Sequence, residues 1–317
     1  MIIRLLILFK IIFLGCAIEQ PYESNSFTNE ENINFDLPNL GSDQTFDIMT
    51  WNIENFPKTN KTSFYLESII NTLNIDLIAL QEITDQNEFN NLVSNLNGNW
   101  LGFRSENTSY GELAYLINQD NLTLIQNPYN LTSSYFPDLS SSDFEYIFSY
   151  RAPFILKINF QNKDYIIINV HYKCCGDGQL ENEISYDEEY RRFQSSKYLK
   201  KFIDGEFSDK SVIILGDFND NINDDIDNNV FIEFINDYNN YYFADTDIAN
   251  GSTSNWSFPT WPSHLDHILI TNELFNSYNN DMIFTFKIDN YIGWNFYETY
   301  ISDHRPVIIR ISEYLNL

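Results

Sequence analysis

Short apolar runs recur along this chain, and most of them lead into a cluster of polar residues. The runs have the length and alternation of β-strands, and they cover 46–53, 76–83, 113–118, 154–160, 165–171, 211–216, 266–271 and 306–311. Helical patterns lie between some of them, at 63–73 and 186–202. Strands with interspersed helices and several hairpin-like pairs predict a mixed α/β layered fold.

We expect the polar clusters to stand at or just beyond the carboxyl ends of these strands. An exposed loop has no need of Asp or His placed in this way, whereas a packed sheet with a site along one rim does. The clusters are Trp51-Asn52-Ile53-Glu54, Gln81-Glu82, Asn169-Val170-His171, Gly216-Asp217-Phe218-Asn219, Leu265-Asp266-His267 and Ser302-Asp303-His304.

These residue types match the needs of phosphodiester hydrolysis. A cation that neutralises the phosphate and activates water requires carboxylate and amide oxygens as hard ligands. Histidines act as general base and general acid near neutral pH when a carboxylate fixes their tautomer. Further donors stabilise charge on the phosphoryl oxygens. The clusters contain all of these groups.

The order of the clusters resembles the motif series of the endonuclease/exonuclease/phosphatase superfamily, over about residues 46–311. Two further segments are similar to its DNase I branch: 109–116, which contains Glu112, and Arg151-Ala152-Pro153. The resemblance implies a four-layer sandwich, in which two packed mixed β-sheets are flanked by helices.

The resemblance also implies a role for each matching residue. Glu82 is the main ligand of Mg²⁺ or Mn²⁺, with Asn52 beside it and Asp303 as a further ligand. Two pairs form the acid–base machinery, and which histidine is the base stays open. The pairs are Glu112 with His171 and Asp266 with His304; Asp217 binds metal or orients the attacking water, and Asn219 donates to the phosphoryl oxygens.

Residues near these motifs allow more than one reading. Arg151 and Lys173 are candidate phosphate contacts, and Arg104 and Arg305 are weaker candidates; Lys173 could equally be a solvated loop lysine. Gly176-Asp177-Gly178 could bend around a structural Ca²⁺. Strand alternation directs His267 away from Asp266, which favours a structural role, whereas His264 shares the parity of Asp266 and could line the rim.

The motifs indicate the reaction but not the substrate. A DNase I-like endonuclease is the reading that the catalytic residues favour, and a lipid phosphodiesterase or an inositol-phosphate phosphatase is the alternative. A formal net charge of −27 argues against a broad basic surface for nucleic acid. A non-catalytic binding lipoprotein on a degenerate scaffold is a remote alternative, because no catalytic position is lost.

The first residues have the character of an export signal. An apolar run after Arg4 is too short to span a bilayer, and it ends in Phe13-Leu14-Gly15-Cys16. This ending resembles the lipobox of bacterial lipoproteins, with Cys16 as the lipidated residue, although a plain signal peptide or an uncleaved anchor fits as well. We therefore expect a signal segment at 1–16, a flexible tether at 17–43 and a catalytic domain at 44–317.

This organisation predicts an exported monomer, anchored to the membrane through lipid at the cell envelope or else secreted. In such a compartment the adjacent Cys174 and Cys175 form either a strained disulfide or two free thiols.

Overall fold

The computed structural model describes residues 35–106, 112–182 and 184–312. It contains twelve strands in these segments: β1 Phe46–Phe56, β2 Leu77–Ile83, β3 Trp100–Arg104, β4 Glu112–Asn118, β5 Thr123–Asn130, β6 Phe154–Phe160, β7 Lys163–His171, β8 Val212–Asp217, β9 Tyr241–Phe243, β10 Asp266–Thr271, β11 Ile283–Thr285 and β12 Val307–Ile311. The α-helices are α1 Thr62–Leu73, α2 Gln86–Asn95, α3 Ser141–Ile147, α4 Glu188–Glu206, α5 Ile232–Ile235, α6 Thr246–Ala249, α7 Asp289–Ile292 and α8 Trp294–Tyr300.

The strands form two six-stranded mixed sheets. The first has the order β11-β12-β1-β2-β4-β3, and the second has the order β5-β6-β7-β8-β10-β9. In each sheet a central pair is parallel, β1 with β2 and β7 with β8, and the strands beside that pair run antiparallel to it. The expected two-sheet sandwich is confirmed.

Alternation along the strands explains why the sheets stack. Phe46 and Ile48 of β1 face the other sheet and pack with residues of β6, β7 and β8 in one apolar cluster. Met49 and Trp51 face the opposite way, where α1 and α2 cover the sheet. On the second sheet, Leu199 and its neighbours in α4 cover the outer face. Burial on both faces of each sheet produces four layers.

Polar side chains also join the sheets. The Gln81 amide donates to the side-chain oxygen of Asn169 at 2.8 Å, and the Asn169 amide donates to the carbonyls of Leu80 and Ala114 at 3.0 and 3.1 Å. The Tyr115 hydroxyl donates to the Phe154 carbonyl at 2.7 Å, and it accepts from the backbone N–H of Asn169 at 2.9 Å. These bonds fix the register of one sheet on the other.

The folded unit begins earlier than the sequence predicts. Residues 35–43 lie on the domain: Leu37 is buried, the backbone N–H of Leu40 donates to the Leu73 carbonyl at 3.0 Å, and the Phe35 ring contacts Tyr65. The sequence did not predict this contact, because the apolar residues of 35–43 are few and are separated by polar residues. The proposed signal segment 1–16, its Cys16 and the tether up to residue 34 lie outside the described residues.

The described helices include none that is both long enough and apolar enough to span a bilayer.

We predict that Tyr115→Phe will lower the free energy of unfolding by about 1–3 kcal/mol, because it leaves buried partners of the hydroxyl unsatisfied. Urea denaturation would show a lower midpoint with an unchanged slope. Tyr186→Phe is the matched control, because Tyr186 is 72% exposed. Equal midpoints for the two variants would contradict the role of this bond.

Candidate active site

The parallel pair in each sheet delivers two polar residues to one edge of the sandwich. Asn52 of β1 is in register with Gln81 of β2, and Glu82 follows directly. His171 and Asp217 are register partners at the ends of β7 and β8. Because parallel neighbours end at the same edge of a sheet, each sheet presents a pair of functional side chains there.

Two antiparallel strands reach the same edge with their amino ends. Asp266 begins β10 and is in register with Asp217. His304 precedes β12, which pairs with β1. The expectation that every cluster stands at a strand's carboxyl end is therefore wrong for these two, because an antiparallel neighbour starts where the parallel pair ends.

The Asn52 side chain joins the two sheets at this edge. Its amide donates to Glu82 Oε1 at 3.2 Å and to Asp217 Oδ2 at 3.0 Å. Glu82 Oε2 accepts from the backbone N–H of Asn55 at 2.9 Å. Glu82 has a φ of +64°, a conformation that is uncommon for a residue with a side chain and that concentrates at functional sites.

Both histidines lie close to the same oxygen of the Asp217 carboxylate. His171 Nε2 is 3.5 Å from Asp217 Oδ2, and His304 Nε2 is 4.0 Å from the same oxygen. His304 Nδ1 is 2.7 Å from Asp266 Oδ2, which is the predicted histidine–carboxylate pair. All four side chains are buried.

The segment after β8 turns sharply to place Asn219. Its backbone N–H donates to Asp217 Oδ1 at 3.0 Å, and its φ is +55°. Gly216, within β8 just before this turn, allows β8 to approach β7 closely, because an added Cβ would lie 1.9 Å from the Val170 carbonyl oxygen of β7. The Asn219 amide donates to the Tyr172 carbonyl at 3.3 Å, so it lies beside the residue that follows His171.

Buried donors hold the His304 backbone in place. The Ser302 hydroxyl donates to the Asn52 carbonyl at 2.6 Å and accepts from the His304 N–H at 2.9 Å. The Trp51 indole donates to the His304 carbonyl at 3.1 Å, and the Tyr297 hydroxyl donates to the same oxygen. The sequence did not predict that Trp51 and Tyr297 bond to His304, since only the fold brings them together.

The surroundings shift the pKa values of the two histidines in opposite directions. Burial, with the nearby charges of Arg151 and His304, holds the pKa of His171 well below its usual range. Burial also opposes the charge on His304, but Asp266 and Asp217 overcome it and raise the pKa of His304 to about 10. Burial raises the pKa of the Asp217 carboxyl to about 7, against the opposing charge of His304.

A sequence profile of the Endonuclease/Exonuclease/phosphatase family matches residues 49–304. The chain belongs to this family. It is a phosphoesterase, and the catalytic edge described above lies within the matched segment. A search among curated proteins finds no match to the chain.

Solved structures of the family share the fold at low sequence identity. Danio rerio TDP2 complexed with a single-strand DNA product has a TM-score of 0.60 and 15% identity, over 84% of this chain and 98% of that one. An endonuclease/exonuclease/phosphatase from Bacteroides vulgatus has 0.57 and 15%, over 84% and 98%. The human Nocturnin catalytic domain with bound sulfate has 0.53 and 15%, over 85% and 93%.

The family's divalent metal has fitting ligands at this edge. Glu82, Asn52 and Asp303 offer hard oxygen donors. Glu54, which sequence reasoning left without a role, connects them: its N–H donates to Asn52 Oδ1 at 3.0 Å, and its carboxylate accepts from the Asp303 N–H at 3.0 Å. Burial and the charge of Asp303 raise the pKa of Glu54, although Lys58 opposes them. The sequence signal for this role of Glu54 was its position two residues after Asn52.

The described contacts do not include the predicted Glu112–His171 pair. Glu112 is buried, but its Oε2 accepts from the Ser105 hydroxyl at 2.6 Å. In the described chain His171 Nδ1 has no hydrogen-bond partner. The physical reason is that Glu112 begins β4 in the first sheet and Ser105, just after β3, is the nearer donor. The adjoining residues 109–111 lie outside the described part of the chain.

The two predicted phosphate contacts have other partners. Arg151 donates to the carbonyls of His171 and Tyr172 at 3.1 and 2.8 Å, so it supports the end of β7. The Lys173 ammonium donates to the Cys174 carbonyl at 2.9 Å and lies 3.8 Å from Glu188 Oε1. Acidic neighbours near α4 draw this flexible side chain towards the helix.

The two weaker candidates for phosphate contacts, Arg104 and Arg305, also bond to other groups. Arg104 donates to the Ile83 carbonyl at 2.9 Å. Arg305 makes a bidentate pair with Asp289, at 2.9 and 2.7 Å. Neither interaction points to a phosphate contact, and few basic groups therefore serve this site.

The remaining histidines form a separate buried cluster around Asp245. His267 Nδ1 and His264 Nε2 lie 2.5 and 3.0 Å from Asp245 Oδ2, and His267 Nε2 lies 2.8 Å from the Asp220 carbonyl. His267 thus points away from Asp266, as alternation predicts. His264 is 1% exposed, so it does not line the rim. Cys174 and Cys175 are exposed free thiols.

We predict that His171→Ala and His304→Ala will each lower kcat at least about 100-fold, the usual scale of general acid–base catalysis. Asp266→Asn should also reduce kcat strongly, because it removes the charge that stabilises the His304 imidazolium. Asp209→Asn is the control, since its side chain is 79% exposed. Full activity in the three site variants, with thermal unfolding unchanged, would contradict this assignment.

Proposed function

We propose that the protein is a divalent-metal-dependent nuclease that hydrolyses phosphodiester bonds in nucleic acid. The observation that carries this proposal is the placement of the Nε2 atoms of His171 and His304 within 4.0 Å of one oxygen of the Asp217 carboxylate, with pKa shifts of the two histidines in opposite directions. Hydrolysis of a diester requires both a base for water and an acid for the leaving oxygen, and this site has one candidate for each.

His171 is the better base and His304 the better acid. A base must be neutral before the reaction, and the lowered pKa of His171 keeps it neutral near pH 7. An acid must carry its proton, and the raised pKa of His304 retains it. His304 Nδ1 donates to Asp266, which leaves Nε2 to deliver a proton to the leaving oxygen.

The polar residues between them orient the reactants. Asp217 Oδ2 lies within 4.0 Å of both Nε2 atoms, where it can align the attacking water towards His171. The backbone N–H of Asn219 donates to this carboxylate, and the Asn219 side-chain amide, which lies beside the Tyr172 carbonyl, can donate to a phosphoryl oxygen. Glu82, Asn52 and Asp303 are the proposed ligands of Mg²⁺ or Mn²⁺, which neutralises phosphate charge and polarises the scissile group when bound.

Nucleic acid is the substrate class that the surroundings favour. Trp261 is 77% exposed and lies in the turn closed by the Phe258–Ser263 backbone pair. The Phe258 ring contacts the His304 ring at 4.8 Å between centroids, so this turn adjoins the catalytic edge. An exposed indole there can stack on a base, and Danio rerio TDP2 was solved with a single-strand DNA product.

We predict that EDTA will abolish hydrolysis and that Mg²⁺ or Mn²⁺ will restore it. Affinity for DNA should fall less than about 100-fold between 50 and 200 mM salt, because few basic side chains are free for phosphate. The assay uses plasmid DNA, single-stranded DNA, RNA, sphingomyelin and inositol phosphates.

Trp261→Ala should raise KM for single-stranded DNA and leave kcat nearly unchanged.

EDTA-resistant hydrolysis would contradict the metal dependence. Turnover of sphingomyelin or inositol phosphates with none of DNA or RNA would replace the nuclease by a lipid phosphodiesterase or an inositol-phosphate phosphatase. A steep salt dependence on DNA would show a basic groove that the present geometry lacks.

A further inference from the structure

An acidic cavity of about 350 Å³ adjoins the catalytic edge and shares Asn219 with it. The segment that follows His171, the start of α4 and the segment that follows Asp217 enclose it. The carboxylates of Glu189, Asp220, Asp224 and Asp225 line the cavity, and Arg192 is the one cation among the described lining residues.

Arg192 does not balance this charge. Its Nε lies 2.7 Å from Asp220 Oδ2, and its Nη2 lies 3.1 Å from Glu189 Oε1. Its Nη1 donates to the carbonyls of Lys173 and Cys175 at 2.8 and 2.6 Å. The guanidinium thus pairs with one oxygen of each of two acids, and the described ion pairs of Arg192 do not include Asp224 or Asp225.

One buried carboxylate oxygen in the cavity wall has no partner. Glu189 is 2% exposed; its Oε1 accepts from the Gly178 N–H at 2.7 Å, but its Oε2 makes no hydrogen bond. Leaving such an oxygen bare in a protein interior is costly. Gly176 lies against this carboxylate so closely that an added Cβ would be 2.5 Å from Oε2.

We propose that this cavity is a Ca²⁺ site, with Glu189 Oε2 and the Asp224 carboxylate as its central ligands. Ca²⁺ takes six to eight oxygen ligands in flexible geometry, and carboxylate and amide oxygens dominate this wall. An organic ammonium is a poorer occupant, because the described lining residues include no aromatic ring to receive it. Asp177, which the sequence nominated for calcium, does not line the cavity.

Crowding of the acids supports the same conclusion. Asp220, Asp224 and Asp225 line the cavity together with Glu189. Carboxylates gathered in one cavity repel each other unless a proton or a cation lies between them. Bound Ca²⁺ would also tie the segment after His171 to the segment that carries Asn219, and would thereby stabilise both sides of the catalytic edge.

Calcium titration calorimetry tests the site on the full chain carrying Glu82→Gln, which removes the main ligand of the catalytic metal. We expect one Ca²⁺ per chain. Asp224→Asn and Glu189→Gln should each weaken binding at least about tenfold, because affinity depends on ligand charge. Asp209→Asn serves as the exposed control. In the chain with Glu82 intact, saturating Ca²⁺ should raise Tm by roughly 5 °C, and Asp224→Asn should remove most of that rise.

Two results would overturn the proposal. One is the absence of Ca²⁺ binding up to about 10 mM, above the weakest natural sites. The other is binding that Asp224→Asn and Glu189→Gln leave unchanged, which would place the ion elsewhere. Asp224 forms no ion pair with Arg192 among the described contacts, so its variant keeps the test valid if Glu189→Gln fails to fold.

Discussion

The structure depends on a junction at which the Asn52 amide reaches the Asp217 carboxylate of the opposite sheet. Half of the catalytic groups belong to one sheet and half to the other, so the site exists only if the sheets stack in one register. The Gln81–Asn169 bond and the Tyr115 hydroxyl fix that register below the edge. Buried polar bonds of this kind are costly when broken, which makes alternative stackings unfavourable.

The same edge contains buried carboxylates close to one another, an arrangement that folded proteins normally avoid. Asp217 and Asp266 are buried close to each other, and the His304 ring lies near both carboxylates, at 4.0 Å from Asp217 Oδ2 and 2.7 Å from Asp266 Oδ2. Glu82 and Asn219 adopt left-handed backbone conformations, which add strain. The surrounding apolar layers supply the stability that holds this arrangement, and the opposite pKa shifts of the two histidines are its chemical consequence.

Sequence patterns predicted the part of the fold that burial dictates. Strands of the sheet interiors show clear apolar runs, whereas the edge strands β3 and β5 were missed. β5 is largely exposed and contains Pro128, which a central strand would not tolerate. The short β9 and β11 have three residues each, too few for a pattern.

The site followed the same rule. Residues fixed by strand register, such as Asp217 and Asp266, came together as the motifs indicated. The predicted contacts of long or flexible side chains are not observed. Glu112 bonds to Ser105, and Lys173 lies near Glu188. Such choices depend on neighbours that are distant in sequence, and local pattern carries no information about them.

We propose that Asp266 and His304 form a catalytic pair while the cation binds at Glu82. The alternative is a metal held by Asp217, Asp266 and His304, whose ligand atoms lie within 4.8 Å of one another. Anomalous diffraction from crystals soaked in Mn²⁺ separates the two most directly. The account predicts a peak within coordination distance of the Glu82 carboxylate and the Asn52 side-chain oxygen. A peak on His304 Nε2 and Asp217, with none at Glu82, would contradict it.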